Sequence, residues 1–304
     1  MTQQVTVAIS AFRSDEPVIA MLEAIAERPS PHVRAVIVVD SLGSGAIAEA
    51  IARNGWEFTY VNAETNLGSA GNLARRIELA AQSGADWAYC LNHDAQWSPD
   101  ALAAQLALGR SRPRVGAVYP VLHHGSRKRP WEDARRSFSP FANERSATRP
   151  IGDEGIEVAW SSSNGALYAT APSHEGVRVM PELWMGFEDL AYGVALDNAG
   201  WTQLVCRDAV LGDIFDYVGS QIGGLTVHRP YKPTWYAYYD IRNLLLIRRE
   251  YGSAGIPLLS IAKKLAKSTT RIILLDDHKA DRLRLLYRGS LAGLTGKTGK
   301  GPVP

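Results

Sequence analysis

The sequence predicts an α/β fold: a Rossmann-like, mainly parallel central sheet flanked by helices, followed by a helical C-terminal extension. Three observations predict it. Over the first 120 residues, short apolar runs rich in β-branched side chains alternate with segments of helical periodicity, the order that builds a parallel sheet through right-handed crossovers. The apolar runs are continuous, as expected of strands covered on both faces. From Thr234 onward the strand signals stop and helical spacing remains.

The elements follow in order. Val5–Ser10 reads as a buried strand, and Ser14-Asp15-Glu16-Pro17 supplies cap and first-turn residues for a helix through Glu27. Ala35–Val39 is a central strand ending on Asp40. Ala46–Arg53 fits a short helix closed by Asn54-Gly55, and Glu57–Val61 a third strand. Leu73–Gln82 is a helix and Trp87–Leu91 a fourth strand. Ser98-Pro99-Asp100 opens the next helix in the preferred order of cap, N1 proline and acidic first turn, and Val115–Val121 follows as a strand. His123 to Gly155, polar and rich in Arg, Pro and Ser, reads as a long loop. Strand signals return at Ile156–Ser161 and Ala166–Thr170. A helix starts near Glu188 and closes on Asn198-Ala199-Gly200. Two further helices cover about Pro257–Leu275 and Lys279–Leu291, and a low-complexity tail runs from Gly296 to Pro304. The expected division is a domain of residues 1–230 that binds ligand and carries the chemistry, then a helical region of residues 231–304 ending in a basic flexible tail.

Composition bounds the function. Hydrophobic residues are 46% and charged residues 21% of the 304, which supports a sizeable core and argues against general disorder. No apolar run nears the ~20 residues of a spanning helix, and Met-Thr-Gln-Gln places no basic segment ahead of the first apolar run; a cytoplasmic location is expected. Cys90 and Cys206 are too few for a disulfide framework or a structural zinc site. The net charge of +2 argues against nucleic acid as a partner. From Lys263 onward, however, ten Lys or Arg face three Asp. That excess, beside the apolar clusters Ile272–Leu275 and Leu283–Tyr287, suits helices that lie peripherally on an anionic membrane. The same apolar faces would equally pack on the catalytic domain or on a second copy in a homodimer.

In an open parallel sheet, ligands bind beyond the carboxyl ends of the strands, which selects Ser10-Ala11-Phe12, Asp40-Ser41 and Asn92-His93-Asp94. Asp40 would accept hydrogen bonds from a ribose or base, or simply form a turn. Asn66-Leu67-Gly68-Ser69-Ala70-Gly71-Asn72 joins a strand to a helix, where glycines allow close backbone approach and helix amides favour an anion. It is neither a Walker A loop nor a Gly-x-Gly-x-x-Gly fingerprint. Asp94 suits a hard cation such as Mg²⁺ or Mn²⁺ shared with phosphate oxygens; the plainer alternative is a cap cluster ahead of Ser98. Glu188 and Asp189 sit at a helix start, either for dipole reasons or as a general base for an acceptor hydroxyl. Trp184, Phe187 and Tyr192 nearby would suit a sugar-stacking rim as well as a core.

In this order the motifs resemble family 2 glycosyltransferases of the GT-A fold, especially bacterial rhamnosyltransferase-like and galactofuranosyltransferase-like members, from Val5 to about Arg249. Val38-Val39-Asp40-Ser41 is similar to the family's Val-Val-Asp-Asn element. The Asn66–Asn72 loop is similar to its Asn-x-Gly-x-x-Gly-x-Asn loop, and Asn92-His93-Asp94 to the Asn-x-Asp form of its Asp-x-Asp. Asn164-Gly165-Ala166 resembles the acceptor-side strand, Glu188-Asp189 the Glu-Asp motif, and Tyr238-Tyr239-Asp240-Ile241-Arg242-Asn243 the Tyr-Tyr-x-x-Arg-Asn helix. The resemblance implies an inverting transferase in cell-surface polysaccharide synthesis. Its donor would be a nucleotide sugar, dTDP-rhamnose or a UDP-sugar, and its acceptor a glycan or lipid-linked. Ser10, Ala11, Phe12, Asp40, Asn66, Gly71, Asn72, Asn92, His93 and Asp94 would hold the donor. Asp189 would be the base, assisted by Glu188, and Trp184, Asn164 and Arg242 would meet the acceptor. Asp94 would bind the metal with Asp216, which stands where the family carries a His-x-x-Gly histidine; Asp213 and His228 are alternatives. A sugar-1-phosphate nucleotidyltransferase and a non-catalytic nucleotide-sugar-binding protein remain open alternatives.

Overall fold

The computed structural model describes residues 4–124, 149–213, 217–222, 225–230 and 232–302. The chain forms two compact units: residues up to Pro181 with Asp189–Ile214, and Glu182–Glu188 with Phe215 onward. The expected division near residue 230 thus meets a break some fifteen residues earlier, and a short internal segment belongs with the C-terminal helices.

The first unit is built on a sheet of nine strands: β1 (Val5–Ala11), β2 (Val33–Asp40), β3 (Thr59–Asn62), β4 (Trp87–Leu91), β5 (Val115–His124), β6 (Arg149–Pro150), β7 (Gly155–Glu157), β8 (Ala166–Ala169) and β9 (Thr202–Asp213). Their order is β3-β2-β1-β4-β8-β5-β9-β7-β6. The α/β expectation holds. The half β3-β2-β1-β4 is parallel throughout, as is β5 with β9, whereas β8 runs antiparallel between β4 and β5, and β7 antiparallel to β9. Each residue of β4 is buried, in keeping with its continuous apolar run.

This unit also holds helices α1 (Asp15–Glu27), α2 (Ala46–Asn54), α3 (Gly68–Gln82), α4 (Pro99–Arg110) and α5 (Glu188–Asn198), with a single helical turn at Ala171–His174. α1 buries Val18, Met21, Leu22 and Ile25, one stripe at helical spacing. Ser14 does not cap it through its side chain; its Oγ accepts instead from the Phe12 amide at 3.2 Å. Gly55 closes α2 in the left-handed region, and Ser98 Oγ caps α4 by accepting from the Ala101 amide at 3.2 Å. α3 starts five residues before the expected Leu73, because the Asn66 side chain accepts from the Gly68 amide at 2.9 Å and Gly68 turns the chain at φ +67°. Of the expected 123–155 loop, residues 125–148 lie outside the described residues.

The second unit holds the β10 (Tyr217–Ile222) and β11 (Leu225–Pro230) hairpin with helices α6 (Ala237–Gly255), α7 (Leu258–Leu275) and α8 (Lys279–Leu294). α6 breaks at Gly252. Gly289 and Gly293 seat α8 against the α6 backbone: a Cβ on either would collide with Tyr238 or Arg242 main-chain atoms. Trp184 stacks on Tyr239 at 5.3 Å between ring centroids, with Trp235 edge-on to both.

Candidate active site

The parallel register puts the carboxyl ends of three strands side by side. Ala11 pairs with Asp40 across β1 and β2, and Ile9 with Leu91 across β1 and β4. β8 runs back along β4 with Ala166 opposite Cys90, so the residues that precede it reach the same edge. There Asn92 is clamped on several sides. Its Oδ1 accepts from Ser10 Oγ and from Arg76 at 3.4 Å each, and its amide donates to Asn164 Oδ1 at 3.0 Å. Arg76, buried on α3, also donates to the carbonyls of Ala8 at 3.3 Å and Leu91 at 3.0 Å, tying the ends of β1 and β4 to one cation. Sequence reasoning missed Arg76. The signal was present, because it follows Asn72 by four residues and shares its helix face.

Asn72 does the corresponding work at β2, donating from Nδ2 to the Val39 carbonyl at 3.0 Å and to Ser41 Oγ at 3.5 Å. Asp40, at 1% exposure, is not an open strand-end carboxylate. Gly43 lies over it so closely that any Cβ would strike the carboxylate and the Tyr60 hydroxyl. Tyr60 donates to Asp40 Oδ2 at 3.0 Å, and Oδ1 is buried with no hydrogen-bond partner. Burial pushes the Asp40 pKa up, partly countered by the Tyr60 hydrogen bond, with the charge of Asp15 pushing it further. Burial, then the hydrogen bond to Asp40, raise Tyr60 to about 12.

Asp94 is half-buried, and its Oδ1 is enclosed without a hydrogen bond. An anionic oxygen kept from both water and donors is a poor arrangement unless a cation meets it. No group of three or more His, Cys, Asp or Glu capable of holding a metal occurs among the described residues. His93 and Phe12 are exposed, Ala11 is buried, and Asn66 and Gly71 stand at the entry and first turn of α3. A Cβ on Gly71 would press on Leu67 at 3.1 Å. Asp216 lies outside the described residues, as do the side chains of Asp213 and His228.

Asp189 opens α5, its Oδ1 accepting from the Leu190 amide at 2.8 Å. It borders a buried tyrosine cluster in which Tyr168 meets Tyr119 and Tyr192 edge-on. Burial pushes the Tyr119 and Tyr168 hydroxyls far up, and the charge of Asp189 pushes both further. Of the aromatics read as rim or core, Tyr192 and Trp184 are core, at 1% and 6% exposure.

In the second unit, the segment Glu182–Glu188 is bent through left-handed conformations at Trp184 (φ +59°), Gly186 (φ +81°) and Phe187 (φ +65°). Arg242 and Asn243 hold it. Asn243 Nδ2 donates to the carbonyls of Leu183 (3.2 Å), Met185 (2.8 Å) and Gly186 (2.7 Å). Arg242, fully buried, donates to the Leu183 carbonyl at 2.6 Å and the Gly299 carbonyl at 2.7 Å. Arg242 and Trp184, expected to meet an acceptor, are therefore packed inside this unit. The tail read as flexible is bound there, the Gly299 amide donating to the Glu182 carbonyl and the Gly301 amide to the Tyr239 hydroxyl, each at 2.7 Å.

Residues 6–163 match the model of glycosyl transferase family 2, just over half of the chain, which therefore belongs to that family and is a glycosyltransferase. No curated protein matches it. Among solved structures, the chain is similar to the mannosyltransferase PcManGT from Pyrobaculum calidifontis in complex with GDP-Man and Mn²⁺, at 16% identity and TM-score 0.58 over 97% of this chain and 88% of that one. It is similar to GalNAc-T7 with UDP, GalNAc and Mn²⁺, at 11% identity and TM-score 0.61 over 97% of this chain and 56% of that one. A third is TarS from S. aureus in complex with UDP, at 14% identity and TM-score 0.55 over 96% of this chain and 72% of that one. At these identities the likeness is one of fold. No helix among the described residues is long and apolar enough to cross a membrane.

Proposed function

We propose that the protein is an inverting transferase that moves a sugar from a nucleoside-diphosphate donor, a UDP-sugar or dTDP-rhamnose, to a hydroxyl of a glycan or lipid-linked acceptor in cell-surface polysaccharide synthesis. The observation that carries the reading is the strand-end cluster. Asn92 is immobilised by Ser10, Arg76 and Asn164, and two residues on, Asp94 keeps a carboxylate oxygen enclosed and unbonded. Similar folds solved with GDP-Man or UDP and Mn²⁺ support the same reading.

Asp40 would support the nucleoside end of the site from beneath, through Gly43 and Tyr60, with Phe12 offering an exposed aromatic face. The N-terminus of α3, where the helix dipole favours negative charge, would lie toward the diphosphate. Asp94 would hold Mg²⁺ or Mn²⁺, which when bound neutralises charge on the leaving diphosphate. Asp189 takes the proton of the acceptor hydroxyl. The hydroxyl oxygen then bonds the anomeric carbon from the face opposite the diphosphate, whose bond to that carbon breaks, so the nucleoside diphosphate departs and the configuration inverts. Glu188 and Asn164 would position the acceptor, while Arg242 and Trp184 act through the Glu182–Glu188 segment without touching it.

A panel of nucleotide sugars with Mn²⁺ or Mg²⁺, read by release of nucleoside diphosphate, tests the reading. Asp189→Asn should keep donor affinity and lower kcat at least ~10²-fold, the lower end for loss of a general base. Near-normal turnover in this variant would remove Asp189 from the role. Binding of every donor without turnover would overturn the enzyme reading.

A further inference from the structure

Helices α7 and α8 each have one side committed to the fold. α7 buries Ile261, Ser268 and Ile272, with Ser268 Oγ donating to Asp240 at 2.6 Å and Lys264 paired to the same carboxylate at 3.1 Å. α8 is held by Gly289 and Gly293 against α6. Those constraints set the rotation of both helices and turn the opposite sides to solvent. There Leu259, Ile273 and Leu274 on α7, and Tyr287, Leu291 and Leu294 on α8, are 49–67% exposed. Tyr287, Leu291 and Leu294 follow at spacings of four and three, a single stripe. The helices meet at Thr269 Oγ1 and the Tyr287 hydroxyl, 3.3 Å apart.

The charge around these side chains is mainly positive. Lys263, Lys267, Arg284 and Arg288 are exposed on the same helices. Of the aspartates that interrupt the basic run, Asp276 is buried with Arg271 Nε at 3.5 Å, Asp277 is exposed but takes Arg282 at 2.7 Å, and Asp281 is exposed in the first turn of α8. We propose that this apolar, basic-rimmed face of α7 and α8 docks the protein peripherally on an anionic lipid bilayer. A second copy is the poorer occupant, since two-fold pairing of the face would set its own lysines and arginines against each other. A bilayer with acidic headgroups takes up both features at once, the leucines in the acyl boundary and the cations among the phosphates.

Co-sedimentation of the full chain with phosphatidylcholine vesicles, with and without phosphatidylserine, tests this at low and high salt. The expected result is sedimentation with the acidic vesicles alone, lost at high salt as screening shortens to a few ångströms. Replacing Lys263 and Lys267 together by Gln should lower partitioning about fivefold for each charge. Leu291→Ser with Leu294→Ser should lower it too, with circular dichroism showing the helices intact. No sedimentation with either vesicle, equal sedimentation with both, or indifference to both variant pairs would overturn the proposal. So would a dimer in sedimentation equilibrium that the two serine substitutions dissolve. None of these readouts depends on the transferase reaction, so the proposal stands or falls apart from the proposed function.

Discussion

Asn243→Ala removes the central support of the segment leading into Glu188 and Asp189. The amide has two hydrogens for three carbonyls, at 2.7, 2.8 and 3.2 Å, so two bonds are full and the third is shared. Its Oδ1 also orients Arg242 by accepting from Nε at 2.9 Å. At about 0.5–1.5 kcal/mol net per bond, with buried carbonyls left unpaired, the loss comes to about 2–4 kcal/mol. That is within the 5–15 kcal/mol typical of a folded domain, so the variant remains folded. The freed energy is local. Trp184 and Phe187 are non-glycine residues in the left-handed region, each held against a strain of about 1–3 kcal/mol, and without Asn243 they relax. Glu188 and Asp189 are the next residues along, and a displacement of about 1 Å in a reacting group costs about 10²-fold in rate. Urea unfolding should therefore show the lowered stability. Steady-state kinetics should show kcat reduced by about that factor, with the KM for donor unchanged. Asn243→Asp, which keeps the acceptor for Arg242 but cannot donate to the three carbonyls, should behave like the alanine variant in kcat. Undiminished kcat in a variant that has lost the stability would refute the link between this brace and the chemistry.

Asp94→Ala should abolish the stimulation of nucleotide binding by Mn²⁺, read by calorimetry with and without metal, while leaving the melting temperature within a degree or two; full activity in excess chelator would contradict the metal role. Asp40→Asn tests the buried carboxylate through pH. Because burial raises the Asp40 pKa above its ordinary 3.8, the folded protein holds that proton more tightly than the unfolded chain. The resulting stability is fully present below 3.8 and is lost as pH rises through the raised value. The asparagine variant should therefore melt higher than the parent at neutral pH, with the gap closing toward acid. A constant gap across the titration would remove the ionisation of Asp40 as its cause.

Periodicity and local chemistry were enough to read the order of elements through β5, because each rests on contacts a few residues apart, whereas β9 and the β10–β11 hairpin were not read. The apolar run of β4, the stripe of α1 and the Ser98-Pro99 entry to α4 are visible as patterns. So were most strand-end residues, since a polar residue directly after a buried strand must lie at the sheet's edge. Asp189 was reached by resemblance of the Glu-Asp pair, and its setting beside the tyrosine cluster appears only in three dimensions. Other features needed the tertiary structure for a common reason: they join residues far apart in the chain. Asn164 reaches Asn92 because β8 inserts antiparallel beside β4, a choice of strand order that no local signal encodes. Arg76 is a plain basic residue on an amphipathic helix until three strand-end groups converge on its guanidinium. No local signal marks Gly43, yet its lack of a Cβ is what allows it to cover Asp40. The Gly299–Gly301 tail has the composition of a loose end. Only the packing of α6 and α8 supplies the hydrogen-bond partners that offset the entropy of ordering it, and so binds it to the segment ahead of Asp189.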